Sequence, residues 1–273
     1  MTNIFINQDL CIKCNTCATV CVTGIIEKAT VSGFPEVLES NVGNCIKCGH
    51  CEAFCAQKAL TLNFLPGEKI IFAAQDGQIE SRNLAIYMKR RRSIRHFSSK
   101  PVNKELIAGI LDVARYAASG GNGQPVKWLV IYDTDSVKKI AGLTIEWMRS
   151  IQHTAHPLAA YVPVILSQWD RRAEPICRNA PHLLFAHIPY NEKWYDPSEA
   201  VIAMTHVDIA APSFGIGTCW AGFVQLAIAG YQPLRDFLNL PQGRVVACSM
   251  MFGYPVYKVT SIPRRNPVEV IWK

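Results

Sequence analysis

The sequence predicts an α+β protein built from two domains. Two observations lead to this prediction. One cysteine spacing occurs twice within the first 64 residues, and the remaining chain alternates strand-like and helix-like apolar patterns without the regular repeat of a doubly wound sheet. We therefore expect a first domain over residues 1–64, a connector over 65–81, and a second domain over 82–273 that is long enough to bury its own core.

The cysteines carry the strongest signal. Eight of the eleven form two groups of identical spacing: Cys11, Cys14, Cys17 and Cys21, then Cys45, Cys48, Cys51 and Cys55. Three thiolates at three-residue steps hold one cluster, and the fourth cysteine ligates the neighbouring cluster. The spacing predicts two [4Fe–4S] clusters, one held by Cys11, Cys14, Cys17 and Cys55, the other by Cys45, Cys48, Cys51 and Cys21. Zinc is the main alternative, although zinc sites usually show paired Cys-x-x-Cys units.

The duplication extends beyond the sulfur ligands. A shift of 34 residues places Cys11–Cys14 on Cys45–Cys48, with the same Ile-Lys pair inside each motif. The same shift places the apolar pair Ile25–Ile26 on Ala59–Leu60. The first domain is thus an internal repeat, and it resembles the bacterial 2[4Fe–4S] ferredoxins over its whole length.

One departure from that family follows each motif. The proline that succeeds the fourth cysteine in the family is Val22 in the first copy here and Ala56 in the second. Proline shapes this turn and keeps water from the cluster, but it supplies no ligand. We therefore expect both clusters to bind, and the missing prolines affect the expected reduction potentials only.

Turn signals flank the connector. Pro66–Gly67 and Asp76–Gly77 indicate turns, and Ile70–Ala74 predicts a short strand. Ser81 is expected to cap a helix that ends at the basic run Lys89–Arg92.

Further along the chain, a second helix is predicted to begin near Asn103, because apolar residues recur there at helical spacing. Four apolar runs and one very apolar helix complete the second domain. The runs cover Trp128–Tyr132, Val162–Leu166, Leu183–Ile188 and Val245–Met251, and the helix covers Ser198–Ala211.

Five short motifs in the second domain match one known family in order. They are Arg91-Arg92-Ser93-Ile94-Arg95-His96-Phe97, Asn122-Gly123-Gln124-Pro125, Gly215-Ile216-Gly217-Thr218-Cys219-Trp220-Ala221-Gly222, Gly253-Tyr254-Pro255 and Arg264-Arg265. The domain resembles the nitroreductase family over almost all of its length. The resemblance implies an FMN cofactor.

The resemblance implies that residues from both ends of this domain bind the FMN phosphate. Arg91 and Ser93 would supply a guanidinium and a hydroxyl from one turn, since phosphate needs permanently charged donors. Arg264 or Arg265 would close the phosphate from the other end of the chain. Arg92 is either a further flavin contact or a solvated cation.

The same resemblance assigns the flavin ring. Arg95 would lie beside flavin N1 and the C2 carbonyl, where a cation raises the flavin potential. Backbone N–H groups of Ala221 and Gly222 would approach N5 and O4, and these two residues with Arg95 form the expected catalytic set. Asn122 and Gln124 offer amides suited to the pyrimidine edge.

Other conspicuous residues have structural interpretations. Cys177, Cys219 and Cys248 stand in apolar surroundings and are expected to be buried, inert thiols. His206 is expected in the core, and His182 either in the core or in the substrate pocket.

Glycines and aromatic residues also have such interpretations. Gly121 and Gly123 suit turns, and Trp220 suits the core. The segment 145–195 is expected to cover the flavin, and it contains Trp147, Trp169, Tyr190, Trp194 and Tyr195.

Charge and composition narrow the class of protein. The formal net charge of +7 leaves out the cofactors, and each cluster with its four thiolates carries about −2, as does the FMN phosphate. The holoprotein is then close to neutral, and we expect no nucleic-acid partner. The sequence shows no opening signal peptide and no run of 18 apolar residues, so we expect a cytoplasmic protein without a membrane partner.

Together, the two domains suggest a converter of single electrons into electron pairs. Clusters carry one electron each, whereas a flavin stores two. We expect a reduced ferredoxin or similar donor, a nitroaromatic, quinone or activated alkene as the acceptor, and, from the resemblance, a homodimer. Two alternatives remain open: an electron carrier that reduces a partner protein, and a specialised flavin enzyme such as a reductive dehalogenase. NAD(P)H also remains open as a donor, because nitroreductases often use it without a Rossmann domain.

Overall fold

The computed structural model describes residues 4–64, 70–73, 76–191 and 196–273, which form two compact units. The first unit runs to Gln78 and also includes Ser119–Gly123. The second unit comprises Ile79–Ala118 and Gln124–Lys273. Helices and antiparallel strands occur in both units, so the expected α+β class is confirmed.

The first unit is built from short elements around two antiparallel strand pairs. These elements are β1 (Ile4–Ile6), α1 (Thr16–Thr19), β2 (Ile26–Glu27), β3 (Glu36–Val37), a 3₁₀ helix (Glu39–Asn44), α2 (His50–Ala53) and β4 (Leu60–Leu62). Strand β1 pairs antiparallel with β4, and β2 pairs antiparallel with β3. Long elements are absent from the described part of this unit because the cysteine loops take up much of the chain.

The internal repeat is visible in the backbone as well as in the sequence. Helices α1 and α2 begin 34 residues apart. Lys13 and its counterpart Lys47 both adopt left-handed backbone conformations, with φ of 59° and 55°. The repeated apolar pair is buried in both copies, and the core of the unit consists of Ile4, Ile25, Ile26, Leu60 and Leu62. Burying these side chains positions both cysteine loops on one small core.

The second unit is a four-stranded antiparallel sheet with helices on both faces. Its elements are α3 (Ser81–Arg90), α4 (Lys104–Ala114), β5 (Lys127–Ile131), α5 (Thr134–Ile151), α6 (Val162–Asp170), β6 (His182–Pro189), α7 (Ser198–Ala210), β7 (Gly217–Trp220), α8 (Gly222–Gly230), α9 (Gln232–Leu238) and β8 (Arg244–Gly253). The strand order is β5-β6-β8-β7. Because side chains alternate across a strand, Leu183 and Phe185 of β6 enter the core with α5 and α8, whereas Leu184 and Ala186 enter the core with α4 and α7.

Several predicted elements form where the sequence signals placed them. Helix α3 covers the predicted stretch, but Glu80 is its N-cap and Ser81 is its first residue. Asn103 caps α4, and its side chain accepts a hydrogen bond from the N–H of Glu105. The predicted turn at Asp76–Gly77 is present, with φ of 73° at the glycine.

Other predictions differ from the structure. The run Val162–Leu166 lies in helix α6, and helix α5, the longest in the unit, was not predicted. Residues 70–73 form no strand, and their apolar side chains are exposed because no neighbouring strand pairs with this described stretch. Ala74 and the Pro66–Gly67 turn lie outside the described residues.

The N-terminus of helix α5 carries a capping signal in the sequence. Asp133 caps it by accepting a hydrogen bond from the N–H of Ser136 at 2.7 Å. Val137, Ile140 and Ala141 then bury one face at helical spacing. Within the described residues, no helix combines the length and the hydropathy needed to cross a membrane.

Candidate functional site

Each of two cavities in the first unit is surrounded by four cysteines. One cavity is lined by Cys11, Cys14, Cys17 and Cys55, the other by Cys21, Cys45, Cys48 and Cys51. The fourth cysteine of each motif therefore lies with the first three of the other motif. Four thiols around one cavity are the donor set of a cubic iron–sulfur cluster, so these residues fit the group.

The protein surroundings raise the pKa of some of these thiols and lower the pKa of others. The pKa of Cys51 is raised to about 11, mainly by burial and to a smaller extent by the neighbouring thiols. Burial also raises the pKa of Cys17, whereas the hydroxyl and N–H of Thr16 lower the pKa of Cys14. Bound iron deprotonates a coordinating thiol, so burial here favours the metal-bound form over a free thiolate.

Hydrogen bonds reach the sulfur atoms from nearby groups. The N–H of Ala59 donates to Sγ of Cys55 at 3.3 Å. Thr16 Oγ1 lies 3.3 Å from Sγ of Cys14. Hydrogen bonds to cluster sulfur atoms are one of the factors that set the reduction potential, so these contacts would act on it alongside the residues Val22 and Ala56 that replace the prolines.

Asn122 makes a contact in the first unit that the sequence did not indicate. Its Nδ2 donates to the carbonyl oxygens of Ile46, at 3.2 Å, and Lys47, at 3.0 Å. Both carbonyls belong to the loop between two cysteines of one cavity. Gly121 and Asn122 adopt left-handed conformations, with φ of 54° and 55°, so the turn role expected of Gly121 is confirmed.

In the second unit, two of the flavin motifs lie side by side. The segment after α3 runs along β7, and the N–H of Ile94 donates to the carbonyl of Thr218 at 2.8 Å. A Cβ on Gly217 would stand 2.7 Å from Cγ1 of Ile94, so only glycine permits this approach. The fold thereby brings residues 91–95 next to residues 217–222.

The two arginines that open the motif are held differently. Nη1 of Arg91 lies 3.3 Å from Oδ2 of Asp208, a buried carboxylate on α7. Arg92 turns back onto α3, where Nε donates to the carbonyl of Arg91 and Nη2 donates to that of Lys89 at 2.9 Å. Arg92 thus caps the C-terminal end of α3, in agreement with the interpretation of the basic run as a helix end.

Ser93, Arg95 and a residue not singled out before, Arg178, act on the thiol of Cys219. Burial raises the pKa of the Cys219 thiol, while the guanidinium groups of Arg95 and Arg178 and the hydroxyl of Ser93 oppose that rise. Arg178 is half-buried and adopts a left-handed φ of 57°. In the sequence, Arg178 stands out only as a cation directly after two apolar residues, Ile176 and Cys177, which are buried. It belongs to none of the motifs that contain Arg91, Arg92 and Arg95.

The N-terminus of α8 lies at the end of the same strand. The N–H of Ala221 donates to the carbonyl of Ser249 at 2.9 Å, which differs from its expected role toward the flavin because the strand already uses this donor. Gly222 begins α8, and a Cβ placed on it would meet nothing within 4 Å. A helix N-terminus with open space beside its first residue fits an anionic cofactor with polar ring oxygens.

The remaining predicted flavin residues lie on loops and on the chain end. Gln124 has a left-handed φ of 45° in the loop before β5. Arg264 and Arg265 lie on the exposed stretch after β8, where Nη1 of Arg265 donates to the carbonyl of Arg264 at 3.1 Å.

Comparison with protein families decides between the possible classes. The profile of the nitroreductase family matches residues 88–254, more than half of the chain. The chain belongs to the nitroreductase family. A 4Fe-4S dicluster domain profile matches residues 10–60, which favours iron–sulfur clusters over the zinc alternative. This nitroreductase-family protein is therefore an FMN-dependent oxidoreductase that also carries [4Fe–4S] clusters.

Individual relatives resemble the second domain. A putative NADH dehydrogenase/NAD(P)H nitroreductase from Archaeoglobus fulgidus is 31% identical over 60% of this chain and 81% of its own length. An iodotyrosine deiodinase from Nematostella vectensis is 27% identical over 67% of this chain and 72% of its own. An FMN-bound nitroreductase from Desulfitobacterium hafniense shares the fold, with a TM-score of 0.57 and 20% identity, and covers 69% of this chain and 97% of that chain.

His182 of this nitroreductase-family chain lies in the core. His182 is fully buried and stacks on Tyr132 with ring centroids 4.5 Å apart. Its Nε2 accepts from the N–H of Val102 at 2.9 Å, and its Nδ1 lies 2.8 Å from the carbonyl of Tyr132. This geometry requires a neutral ring with the proton on Nδ1. The pocket role for His182 was wrong, and its core role is confirmed.

The structure confirms the predicted burial of three cysteines but differs from the predictions for two tryptophans. Trp147 is 3% exposed and belongs to the core, so it does not cover the flavin. Trp220 is 38% exposed, which contradicts its expected core position. Cys177, Cys219 and Cys248 are buried as expected, and burial raises the pKa of Cys248 to about 11. Trp194 and Tyr195 lie outside the described residues.

Buried neutral histidines predict a loss of stability in acid. Burial lowers the pKa of His182, so below pH about 6.5 the unfolded chain binds a proton that the folded chain excludes. The free energy of unfolding should fall as the pH decreases from about 6.5, until the folded-state pKa is reached. His187, whose pKa is lowered by burial and by Arg244 and Lys127, acts in the same direction.

The test compares urea unfolding, followed by tryptophan fluorescence, between pH 5 and pH 7.5. His182→Gln keeps a donor and an acceptor but cannot titrate, so its stability should depend less on pH than that of the wild type. His206→Gln is the control, since His206 is half-buried on α7, contrary to its expected core position, and bonds only to its own helix at Ile202. Equal pH slopes for wild type and His182→Gln would contradict the prediction.

Proposed function

We propose that this protein accepts single electrons from a reduced ferredoxin or a similar donor through two [4Fe–4S] clusters, and passes electron pairs from FMN to an organic acceptor. Nitroaromatics, quinones and activated alkenes are the acceptors. The observation that carries the proposal is the fusion, in one chain, of two four-cysteine cavities with an arginine-rich nitroreductase-family domain. Clusters would serve no purpose if hydride reached the flavin directly from a nucleotide.

The cluster ligands follow from the grouping of the cysteines. Cys11, Cys14, Cys17 and Cys55 hold one cluster, and Cys21, Cys45, Cys48 and Cys51 hold the other. All eleven cysteines are free, and thiolates that bind iron persist in a reducing compartment, so we place the protein in the cytoplasm.

The flavin ligands are proposed from the arginine-rich motifs. Arg91 and Ser93, with Arg264 or Arg265, bind the FMN phosphate through charged and hydroxyl donors. The exposed guanidinium of Arg95 stabilises negative charge on the pyrimidine side of the ring, which raises the flavin potential. FMN supplies the storage of two electrons and their release as hydride.

Other residues orient the ring. The N–H of Gly222, at the first position of α8, points out of the helix N-terminus toward the polar ring atoms. Gln124 contributes an amide to the pyrimidine edge, whereas the amide of Asn122 lies in the first unit and bonds to Ile46 and Lys47. Arg92 contributes mainly by capping α3.

The experiment is an anaerobic turnover screen of the purified holoprotein. Reduced ferredoxin, NADH and NADPH are compared as donors, each with a nitroaromatic, a quinone and an enone. The proposal expects fast turnover with ferredoxin and slow turnover with either nucleotide. Faster turnover with NADH or NADPH would make the flavin the entry point and overturn the route through the clusters.

A second candidate is a reductive dehalogenase. It is favoured by the relationship to the iodotyrosine deiodinase of Nematostella vectensis. A halogenated tyrosine added to the same screen separates the two functions, because a dehalogenase releases halide. Halide release without reduction of the nitroaromatic, quinone or enone would favour this candidate.

We further propose a homodimer, supported by apolar surface on two elements. Val201 and Ile202 on α7 are 42% and 38% exposed. Near the chain end, Val268, Ile271 and Trp272 are between 85% and 89% exposed, and such surface usually becomes buried in an interface. Light scattering should give twice the chain mass of 30.4 kDa, and a monomer that retains FMN would contradict this.

A further inference from the structure

Asp208 is a carboxylate in an apolar helix. It lies on α7 between apolar neighbours, and it is 6% exposed. Leaving a charge at such a position costs stability unless partners neutralise it and satisfy its oxygen atoms. The sequence did contain this signal, because Asp208 follows Ala200, Met204 and Val207 along the buried part of the helix.

Three side chains from two other segments meet this carboxylate. Nη1 of Arg91 lies 3.3 Å from Oδ2. The hydroxyl of Thr218 donates to Oδ1 at 2.5 Å, and Nε1 of Trp220 donates to Oδ2 at 3.4 Å. Asp208 therefore joins the first arginine of the motif to the strand that leads to Gly222.

The ion pair leaves Arg91 able to bind a second anion. A guanidinium has five N–H donors in a planar fork, and the pair with Asp208 involves Nη1. The Arg91 side chain is 32% exposed, so its pair with Asp208 does not close it off from solvent. An arginine oriented in this way binds an anion without first losing its rotational freedom.

The packing of α3 on α7 does not depend on this pair alone. The hydroxyl of Tyr87, on α3, donates to the carbonyl of Ile209, on α7, at 2.6 Å. This bond holds the two helices together one residue away from Asp208. Removing the charge of Asp208 therefore leaves another tie between the helices and acts mainly on the orientation of Arg91.

We propose that Asp208 is a positioning residue that orients Arg91 for the phosphate of FMN. The proposal rests on the function proposed above, in which Arg91 binds that phosphate. The carboxylate acts through Arg91 and makes no contact with the cofactor. Its removal should therefore weaken binding only of flavins that carry a phosphate.

The experiment measures the dissociation constants of FMN and riboflavin, which lacks the phosphate, on the full-length protein with its clusters retained and its flavin removed. Asp208→Asn keeps the shape and the acceptor for Thr218 but loses the charge. We expect FMN to bind about tenfold more weakly and riboflavin to bind as it does in the wild type. Asp208→Glu, which restores the charge, should recover much of the preference for FMN.

Control variants distinguish a loss of Arg91 positioning from a general disturbance of the structure. Tyr87→Phe removes the neighbouring tie between α3 and α7 and should leave the ratio of FMN to riboflavin affinity unchanged. Because Asp208 acts through Arg91, the double variant Arg91→Ala with Asp208→Asn should bind FMN as weakly as Arg91→Ala alone. If Asp208→Asn does not fold, Asp208→Glu and the Tyr87→Phe ratio still test the proposal.

Distinct outcomes would overturn distinct claims. Equal weakening of FMN and riboflavin in Asp208→Asn would show a purely structural role, and tighter FMN binding would show that Asp208 competes with the phosphate. If Arg91→Ala weakens FMN binding but Asp208→Asn does not, the positioning role fails while the phosphate site stands. If Arg91→Ala leaves FMN affinity unchanged, the phosphate assignment itself fails.

Discussion

Replacing Cys48 with alanine is expected to abolish turnover driven by reduced ferredoxin while FMN stays bound. Cys48 lines one cavity with Cys21, Cys45 and Cys51, so its loss removes one of four ligands from that cluster. The arginines and Ser93 proposed to bind FMN lie in the other unit and should keep their contacts. We expect the ferredoxin-driven rate to fall about a hundredfold or more, with dithionite-driven turnover retained.

The measurement pairs anaerobic kinetics with iron analysis. Wild-type protein should contain about eight irons per chain, and Cys48→Ala about four. Cys177→Ala is the matched control, because this buried thiol lies in the second unit and lines neither cavity. A Cys48→Ala protein that turned over with ferredoxin at the wild-type rate would show that electrons enter directly at the flavin.

A companion variant tests the exchange of ligands between the motifs. Cys55 is the last cysteine of the second motif, yet it lines the cavity with Cys11, Cys14 and Cys17. Cys55→Ala should therefore alter the electron paramagnetic resonance signal of that cluster and leave the other unchanged. Loss of the cluster held by Cys45 would contradict the grouping.

Replacing Arg91 with alanine is expected to weaken FMN binding by about one to two orders of magnitude, because charge-assisted hydrogen bonds of about 1.5–3 kcal/mol are lost. The iron content should not change, since the cluster ligands lie in the first unit. Fluorescence titration of the flavin-free protein gives the dissociation constant. Arg90→Ala, which removes an exposed neighbouring cation, should bind FMN as the wild type does. Equal affinity in Arg91→Ala and wild type would place the phosphate elsewhere.

Local patterns allowed much of the fold to be predicted. The caps and helical spacing around Asn103 predicted α4, and the apolar run Leu183–Ile188 corresponds to β6. The run Val162–Leu166 is helical, because a short apolar stretch has no periodicity that separates a buried helix from a strand. Residues 70–73 were predicted to form a strand, but they are irregular because no strand pairs with this described stretch.

The candidate site was predictable only in part, and Arg178 shows why. The motif arginines were found because family resemblance marks them, whereas Arg178 belongs to no motif quoted from the sequence. Arg178, in the segment before β6, acts together with Arg95 to oppose the rise in the pKa of Cys219. Ala221 does belong to a quoted motif, but its N–H donates to the carbonyl of Ser249. The register of the sheet determines this partner.

The sequence by itself determined the family and the presence of two kinds of domain, and it predicted the cluster ligands, because each depends on motifs of closely spaced residues. Only the tertiary structure decided that Asp208 holds Arg91, that Asn122 contacts the loop at Ile46, and that His182 belongs to the core. The last two contacts join residues 76 and 80 positions apart. Such partners are chosen by strand register and by which faces are buried, and these follow from the packing of the whole chain rather than from any local pattern.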